Sequence, residues 1–172
     1  MTFSVYLAAS SAEIARAQSI VDRLTSVGIT ITSTWLANIA AVGSANPRDA
    51  SREQRLAWTD ICLAEVRAAD LLWFLVPSVS NPTRGGWGEL LYAHALGKEL
   101  VCSGDTRQSI FPAIAGEFDD DEHALDFVVW RANAESLLAM TGTVVRDERL
   151  MPEPVGTAEF MERASQLLKE RT

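Results

Sequence analysis

Short unbroken apolar runs and longer stretches with helical spacing alternate along this chain. The first run, Phe3-Ser4-Val5-Tyr6-Leu7-Ala8-Ala9, reads as a strand, and Ser10-Ser11 with Glu13 just downstream supplies a helix cap. Ile14, Ala17, Ile20, Val21 and Leu24 then share one face of a helix closed by Gly28. The short β-branched run Ile29 to Trp35 predicts the second strand of a βαβ unit. From Ala37 to Ser51 the chain is rich in Ala, Gly, Asn and Pro without clear periodicity, which predicts a loop or lid with a functional role. A helix over Arg52 to Ala68 follows, with Leu56, Ile61, Leu63, Ala64 and Val66 among its apolar positions.

The run Ala69-Asp70-Leu71-Leu72-Trp73-Phe74-Leu75-Val76-Pro77 is apolar without alternation and is stopped by proline, as expected of a central parallel strand covered on both faces. After the stretch Asn81-Pro82-Thr83-Arg84-Gly85-Gly86-Trp87-Gly88, helical spacing resumes at Glu89 and continues to a glycine cap at Gly97. Glu99-Leu100-Val101-Cys102 predicts the next strand, a short strand falls near Phe118, and helices are expected over Asp120 to about Met140 and near Thr157 to Arg171. Strand and helix signals in this order predict an α/β fold, a doubly wound, flavodoxin- or Rossmann-like parallel sheet of about five strands flanked by helices. The expectation is one domain over residues 1–172, with a helical C-terminal extension from about 140.

At 172 residues and 48% hydrophobic, the chain has enough apolar content to build a core without staples. The net charge of −8 argues against a nucleic-acid partner, which would select a basic face. A small anionic ligand stays open, because local N–H groups can hold phosphate on an acidic protein. The N-terminus carries no charged leader, and no apolar run approaches the roughly 18 residues of a membrane span. The expectation is therefore a cytoplasmic protein with no membrane partner. Cys62 and Cys102 lack metal-ligand spacing and are expected to be buried and reduced. His94 and His123 have no partners at ligand spacing, and Asp119-Asp120-Asp121-Glu122 reads as a helix N-terminus, so neither a metal nor a cofactor is expected.

The chemistry concentrates around Glu89. In an open parallel sheet, ligands bind outside the carboxyl ends of the strands, and a helix-opening residue after a central strand faces that crevice. Glu89 is either a reactive carboxylate there or an acid that favours a helix N-terminus electrostatically. Trp35 and Trp87 flank the same crevice and offer stacking faces for a nucleobase, or else rim packing.

Four features then coincide: Tyr6 in strand one, Asp60 in the helix before Ala69-Asp70, a glycine-containing loop ending in Glu89, and Ala93 followed by Gly97-Lys98. The combination resembles the nucleoside 2-deoxyribosyltransferase superfamily, including its 2'-deoxynucleoside 5'-phosphate N-hydrolase branch, over roughly Val5 to Cys102. The resemblance implies that Glu89 attacks the anomeric carbon to form a glycosyl-enzyme. It implies further that Asp60 meets and protonates the base and that the Tyr6 hydroxyl orients the nucleophile. Thr83 stands where free-nucleoside transferases place an aspartate and the nucleotide-cleaving branch a serine, which implies a nucleoside 5'-monophosphate. Arg84, the N–H groups of Gly85 and Gly86, and Ser10 and Ser11 would add donors to that phosphate. The family also implies a homo-oligomer, a dimer or higher. Gly85-Gly86-Trp87-Gly88-Glu89 is similar, too, to the loop of cytokinin-activating phosphoribohydrolases. The glycines at 86 and 88 support a third reading, a nucleotide-binding or sensing domain without turnover.

Overall fold

The computed structural model describes residues 3–42, 50–80 and 83–141. Five strands, β1 (Ser4–Ala8), β2 (Thr30–Ile31), β3 (Leu71–Leu75), β4 (Glu99–Ser103) and β5 (Gly116–Phe118), form one parallel sheet in the order β2-β1-β3-β4-β5. Every β1 and β3 residue is buried, as unbroken apolar runs require when helices cover both faces. The doubly wound α/β expectation is met.

Because side chains alternate across a strand, each run feeds two cores. Val5, Leu7, Leu71, Trp73, Leu75 and Val101 point toward α1 (Ile14–Ser26) and α5 (Asp121–Thr141), where Ala17, Ile20, Leu24, Leu125 and Val128 close the core. Tyr6, Ala8, Leu72, Phe74, Leu100 and Cys102 point the other way. They meet Val66 of α3 (Arg52–Ala68) and Leu90 and Ala93 of α4 (Gly85–Ala95). Ser51 and Gln54 cap each other's backbone N–H to start α3, and Gly97, at φ +69°, turns the chain out of α4. The ammonium of Lys98 donates to the carbonyls of Arg67 (2.7 Å) and Ala69 (2.6 Å), while Arg67 donates to the Tyr92 hydroxyl at 2.7 Å. These contacts clamp the end of α3 against α4, so Gly97-Lys98 has a structural task of its own.

Two elements differ from expectation. Strand two is Thr30–Ile31 only, and Trp35–Val42 form a helix, α2, where the end of the strand and the start of a loop were expected. Tertiary anchors outweigh local propensity there. Leu36 is buried, and the Glu65 carboxylate accepts from the Thr34 N–H (3.1 Å) and hydroxyl (2.5 Å) at the helix N-terminus. The second difference is α4, which begins at Gly85 rather than Glu89, so three of the loop glycines lie in its first turns. The remainder of the expected lid, 43–49, and the expected helix near 157–171 lie outside the described residues.

Candidate functional site

Glu89 is one turn inside α4, not its first residue, and this turns its side chain toward α3 and β1. Its carboxyl is half-buried and faces the Tyr6 hydroxyl, the Cys62 thiol and, farther off, the Glu65 carboxylate. Burial pushes the Glu89 carboxyl above the ordinary glutamate range; Tyr6 and Cys62 pull it partly back, and Glu65 adds to the rise. Tyr6 is wholly buried, and its hydroxyl is the one buried side-chain polar atom among the described residues that makes no hydrogen bond. Burial first, then the Glu89 charge, pushes the phenol far up, and the same two causes raise the Cys62 thiol. Both neighbours therefore keep their protons. The cluster is one carboxylate facing two neutral donors, with no cation among the groups that shift it.

Asp60 is not brought to this cluster. It is exposed and lies two residues from Cys62, which is about 200° round the helix, so it points to the solvent face of α3. Of the α3 residues Val66 is buried, and Cys62, Leu63 and Glu65 are half-buried beside it. Cys62 and Glu65 were missed by sequence reasoning, although their spacing from Val66 and Ala69 on one helical face was legible.

The expected phosphate donors are placed mostly by the backbone. Thr83 Oγ1 accepts from the Gly86 N–H at 3.4 Å, and its own O–H has no partner among the hydrogen bonds of the described residues. Gly85 and Gly86 form the first turn of α4, and Arg84 stands exposed just before it. At the end of β1, Ser10 Oγ accepts from the Ala12 N–H at 3.3 Å, and Ser11 is exposed. The Glu13 carboxylate takes the Ser78 N–H (2.9 Å) and the Arg16 guanidinium (2.9 Å). Burial works against the Glu13 charge, but those donors outweigh it and hold the carboxyl below its usual range. An anion already built into the chain thus occupies the carboxyl end of β3.

Gly86 has a second task. A Cβ on it would stand 2.5 Å from Cε2 of Phe74 and 3.1 Å from Cγ2 of Thr83. The missing side chain lets α4 lie directly on β3, and that packing overrides the poor helix propensity of the glycines. Phe74 is fully buried and cannot swing aside. Gly86→Ala is expected to cost about 1–3 kcal/mol, read as a lower urea midpoint with an unchanged slope, whereas Gly88→Ala, with open space around it, is expected to be neutral or stabilising.

Trp35 is half-buried and donates its indole N–H to the Leu7 carbonyl at 2.8 Å, packing against both cores. Trp87 packs edge-on to Phe74 (centroids 4.6 Å apart, planes at 71°) and lies 6.2 Å from Phe111. With Pro77, Ser78, Val79, Gln108 and Ser109, Trp87 and Phe111 line a cavity of about 350 Å³. Glu89 and Tyr6 do not line it: Trp87 is two residues from Glu89, so the cavity opens on the opposite side of the first turns of α4. The carboxyl cluster, with its perturbed ionisation and orphan hydroxyl, is the stronger chemical candidate. Both cysteines are free; Cys102 is buried, whereas Cys62 is only half-buried, where both were expected to be buried. Among the described residues no group of His, Cys, Asp or Glu is disposed to hold a metal ion, and no helix is long and apolar enough to cross a membrane.

No protein-family model matches the chain, and no curated protein does. Twelve chains of known structure match it, among them the CMP N-glycosidase BcmB of Clostridium botulinum, at 15% identity and a TM-score of 0.41, over 66% of this chain and 84% of that one. A superposition that loose carries no argument about the site; the parallel sheet itself establishes the fold class.

Proposed function

We infer that this protein cleaves the N-glycosidic bond of a nucleoside or nucleoside 5'-monophosphate, with Glu89 as the nucleophile. The observation that carries the reading is the Glu89 carboxyl itself, half-buried on a sheet-facing helix and met by the unpartnered Tyr6 hydroxyl. The resemblance of the sequence to the nucleoside 2-deoxyribosyltransferases supports it independently. In this reading the carboxylate attacks the anomeric carbon as the C–N bond breaks and the base leaves with that bond's electron pair. On the same reading the Tyr6 O–H, unpartnered in the free site, is the donor that aims the carboxylate once substrate is bound. Water or a second base then releases the sugar from Glu89, giving hydrolysis or transfer. Asp60, on the solvent face, is left out of the proton path.

Thr83, Arg84 and the Gly85 N–H support a 5'-monophosphate, although the Gly86 N–H is already given to Thr83, whereas the Glu13 carboxylate at the end of β3 favours a neutral 5' end by repulsion. A chromatographic screen of deoxy- and ribonucleosides and their monophosphates, with and without a second free base, separates these. Base release from none of them, under conditions where nucleotide binds, leaves a binding or sensing domain. A homo-oligomer belongs to the same reading, and light scattering checks it.

The ionisation of Glu89 fixes a pH dependence. Only the carboxylate attacks, and burial holds its titration above the usual glutamate value of 4.5. The acid limb of kcat/KM is therefore expected to fall above that value, with base release rising as pH increases through the displaced pKa. A pH profile with an acid limb at or below 4.5 contradicts the assignment.

A further inference from the structure

The cavity of about 350 Å³ beside the first turns of α4 lies outside the carboxyl ends of β3 and β4, the edge of a parallel sheet where α/β folds hold ligands, and it has the size of a small-molecule site. The loop after β3, through Pro77 and Val79, forms one wall, and the loop after β4, through Gln108 and Phe111, forms the other. Both walls are held in place. Gln108 Nε2 donates to the Pro77 carbonyl at 3.0 Å, tying one loop to the other, and the Ser78 N–H donates to Glu13 at 2.9 Å. Trp87 is backed by the buried ring of Phe74, and Pro112, next to Phe111, is buried. The mouth, by contrast, is apolar and uncovered, with Val79 78% and Ile110 82% exposed.

We propose that this cavity binds a neutral, planar heteroaromatic ring with a hydrogen-bonding edge, the chemical class of a free nucleobase. Charge, shape and edge each argue for that occupant. No charged side chain lines the cavity, so a charged ligand would lose water there without gaining a counter-ion. The Trp87 and Phe111 rings stand 6.2 Å apart with planes at 49°, a wedge in which a flat ring lies on one face and meets the other ring by its edge. Phe111 is 38% exposed and can open the wedge without disturbing the core. At the rim, Gln108 Oε1 and its second Nε2 proton have no partner among the hydrogen bonds of the described residues. The Ser109 hydroxyl accepts from the Phe111 N–H at 3.3 Å and keeps its own proton to donate. A side-chain amide offers an acceptor and a donor together, which complements the neighbouring donor and acceptor on a base edge such as that of adenine. The cavity and the Glu89 carboxyl lie on opposite sides of the first turns of α4, so the proposal does not depend on Glu89 as nucleophile.

The test titrates adenine and cytosine, both neutral, and orotate, an equally flat ring that carries a charge, into the full chain by calorimetry, and locates the bound ring by NMR contacts to the Trp87 indole. At least one of the neutral bases is expected to bind, and orotate about tenfold or more weakly. Phe111→Ala is expected to weaken the neutral base by about three- to tenfold through the lost ring contact, and Phe111→Tyr to keep its affinity. Gln108→Ala is expected to weaken it by about three- to tenfold through the lost edge contact. Both side chains are exposed, so neither truncation opens the core. Absence of binding by both neutral bases, orotate binding as tightly as they do, or an affinity that neither truncation changes overturns the proposal. An affinity lost in Glu89→Gln and kept in Phe111→Ala overturns it too, by placing the base in the Glu89 crevice, and leaves the proposed function standing. A dimer in sedimentation that Ile110→Ser breaks also overturns it, because a second copy then closes the mouth.

Discussion

Glu89→Gln is expected to abolish base release, by about 10⁴-fold or more, and at the same time to raise the thermal midpoint of the fold at neutral pH. The first effect follows from chemistry, since an amide of the same shape cannot form the glycosyl ester. The second follows from linkage. Burial raises the Glu89 pKa in the folded protein, so between the unfolded value and that raised value the native state binds more protons than the unfolded one. Stability therefore falls as pH rises through this window, and above it the wild type carries the full cost of a buried charge. Glutamine never ionises and escapes that cost, so the two proteins are expected to converge in acid and diverge toward neutral pH. Calorimetry across pH, paired with turnover assays and nucleotide binding by titration, reads both effects. A variant that is inactive and also less stable at neutral pH would mean that the amide disrupts the cluster, and the loss of activity would then say nothing about the nucleophile.

The fold was legible wherever burial on two faces left a run without polar interruption. Leu71–Leu75 and Val5–Ala8 announce central parallel strands because no solvent-facing residue breaks them, and Arg52–Ala68 carries its own capping signal in Ser51 and Gln54. The differences lie where a long-range contact decides. Trp35 and Leu36 read locally as the end of a strand, but the Glu65 carboxylate, distant in sequence, caps a helix there. Three glycines read as a loop, but the ring of Phe74 wants no side chain at 86, and so the helix starts early. That shift of one turn also explains what happened to the site. Residue type and order single out Glu89 and Tyr6, and Tyr6 is among the groups that shift the Glu89 carboxyl. The resemblance implies Asp60 as the acid, with the polar face of its helix as the alternative; the structure puts Asp60 on that exposed face, and Cys62 lies on the side of the helix toward Glu89.

Arg16→Met is expected to be among the most destabilising single changes outside the hydrophobic core, at about 2–4 kcal/mol, because all five guanidinium N–H groups are engaged. Nε and Nη2 donate to the two Asp121 oxygens at 2.7 Å each. Nη1 donates to Glu13 (2.9 Å) and to the Val76 carbonyl (2.9 Å), and Nη2 also reaches the Ser103 carbonyl at 3.3 Å. One side chain from α1 thereby ties the ends of β3 and β4 to the start of α5. The pair with Asp121 is itself supported by Ser103, whose hydroxyl donates to the carboxylate at 2.6 Å and accepts from Trp73 Nε1 at 2.9 Å. Gly104 makes room for the fork: it sits at φ +107°, and a Cβ there would lie 3.1 Å from the Val76 carbonyl and 3.3 Å from Arg16 Nη2. Methionine keeps the stem's packing but leaves Glu13 and Asp121 as half-buried charges without their cation. Lysine restores the charge and not the planar fork, so Arg16→Lys is expected to recover less than half of the loss in urea denaturation. The consequence reaches the site through Glu13, whose two oxygens take the Arg16 guanidinium and the Ser78 N–H, so that Arg16 fixes the carboxylate that anchors the loop after β3. Lysine keeps the charge but not the fork that joins Glu13 to the Val76 carbonyl, so in Arg16→Lys the loop after β3 is expected to be less well held and KM to rise, while the pH dependence set by Glu89 stays where it was.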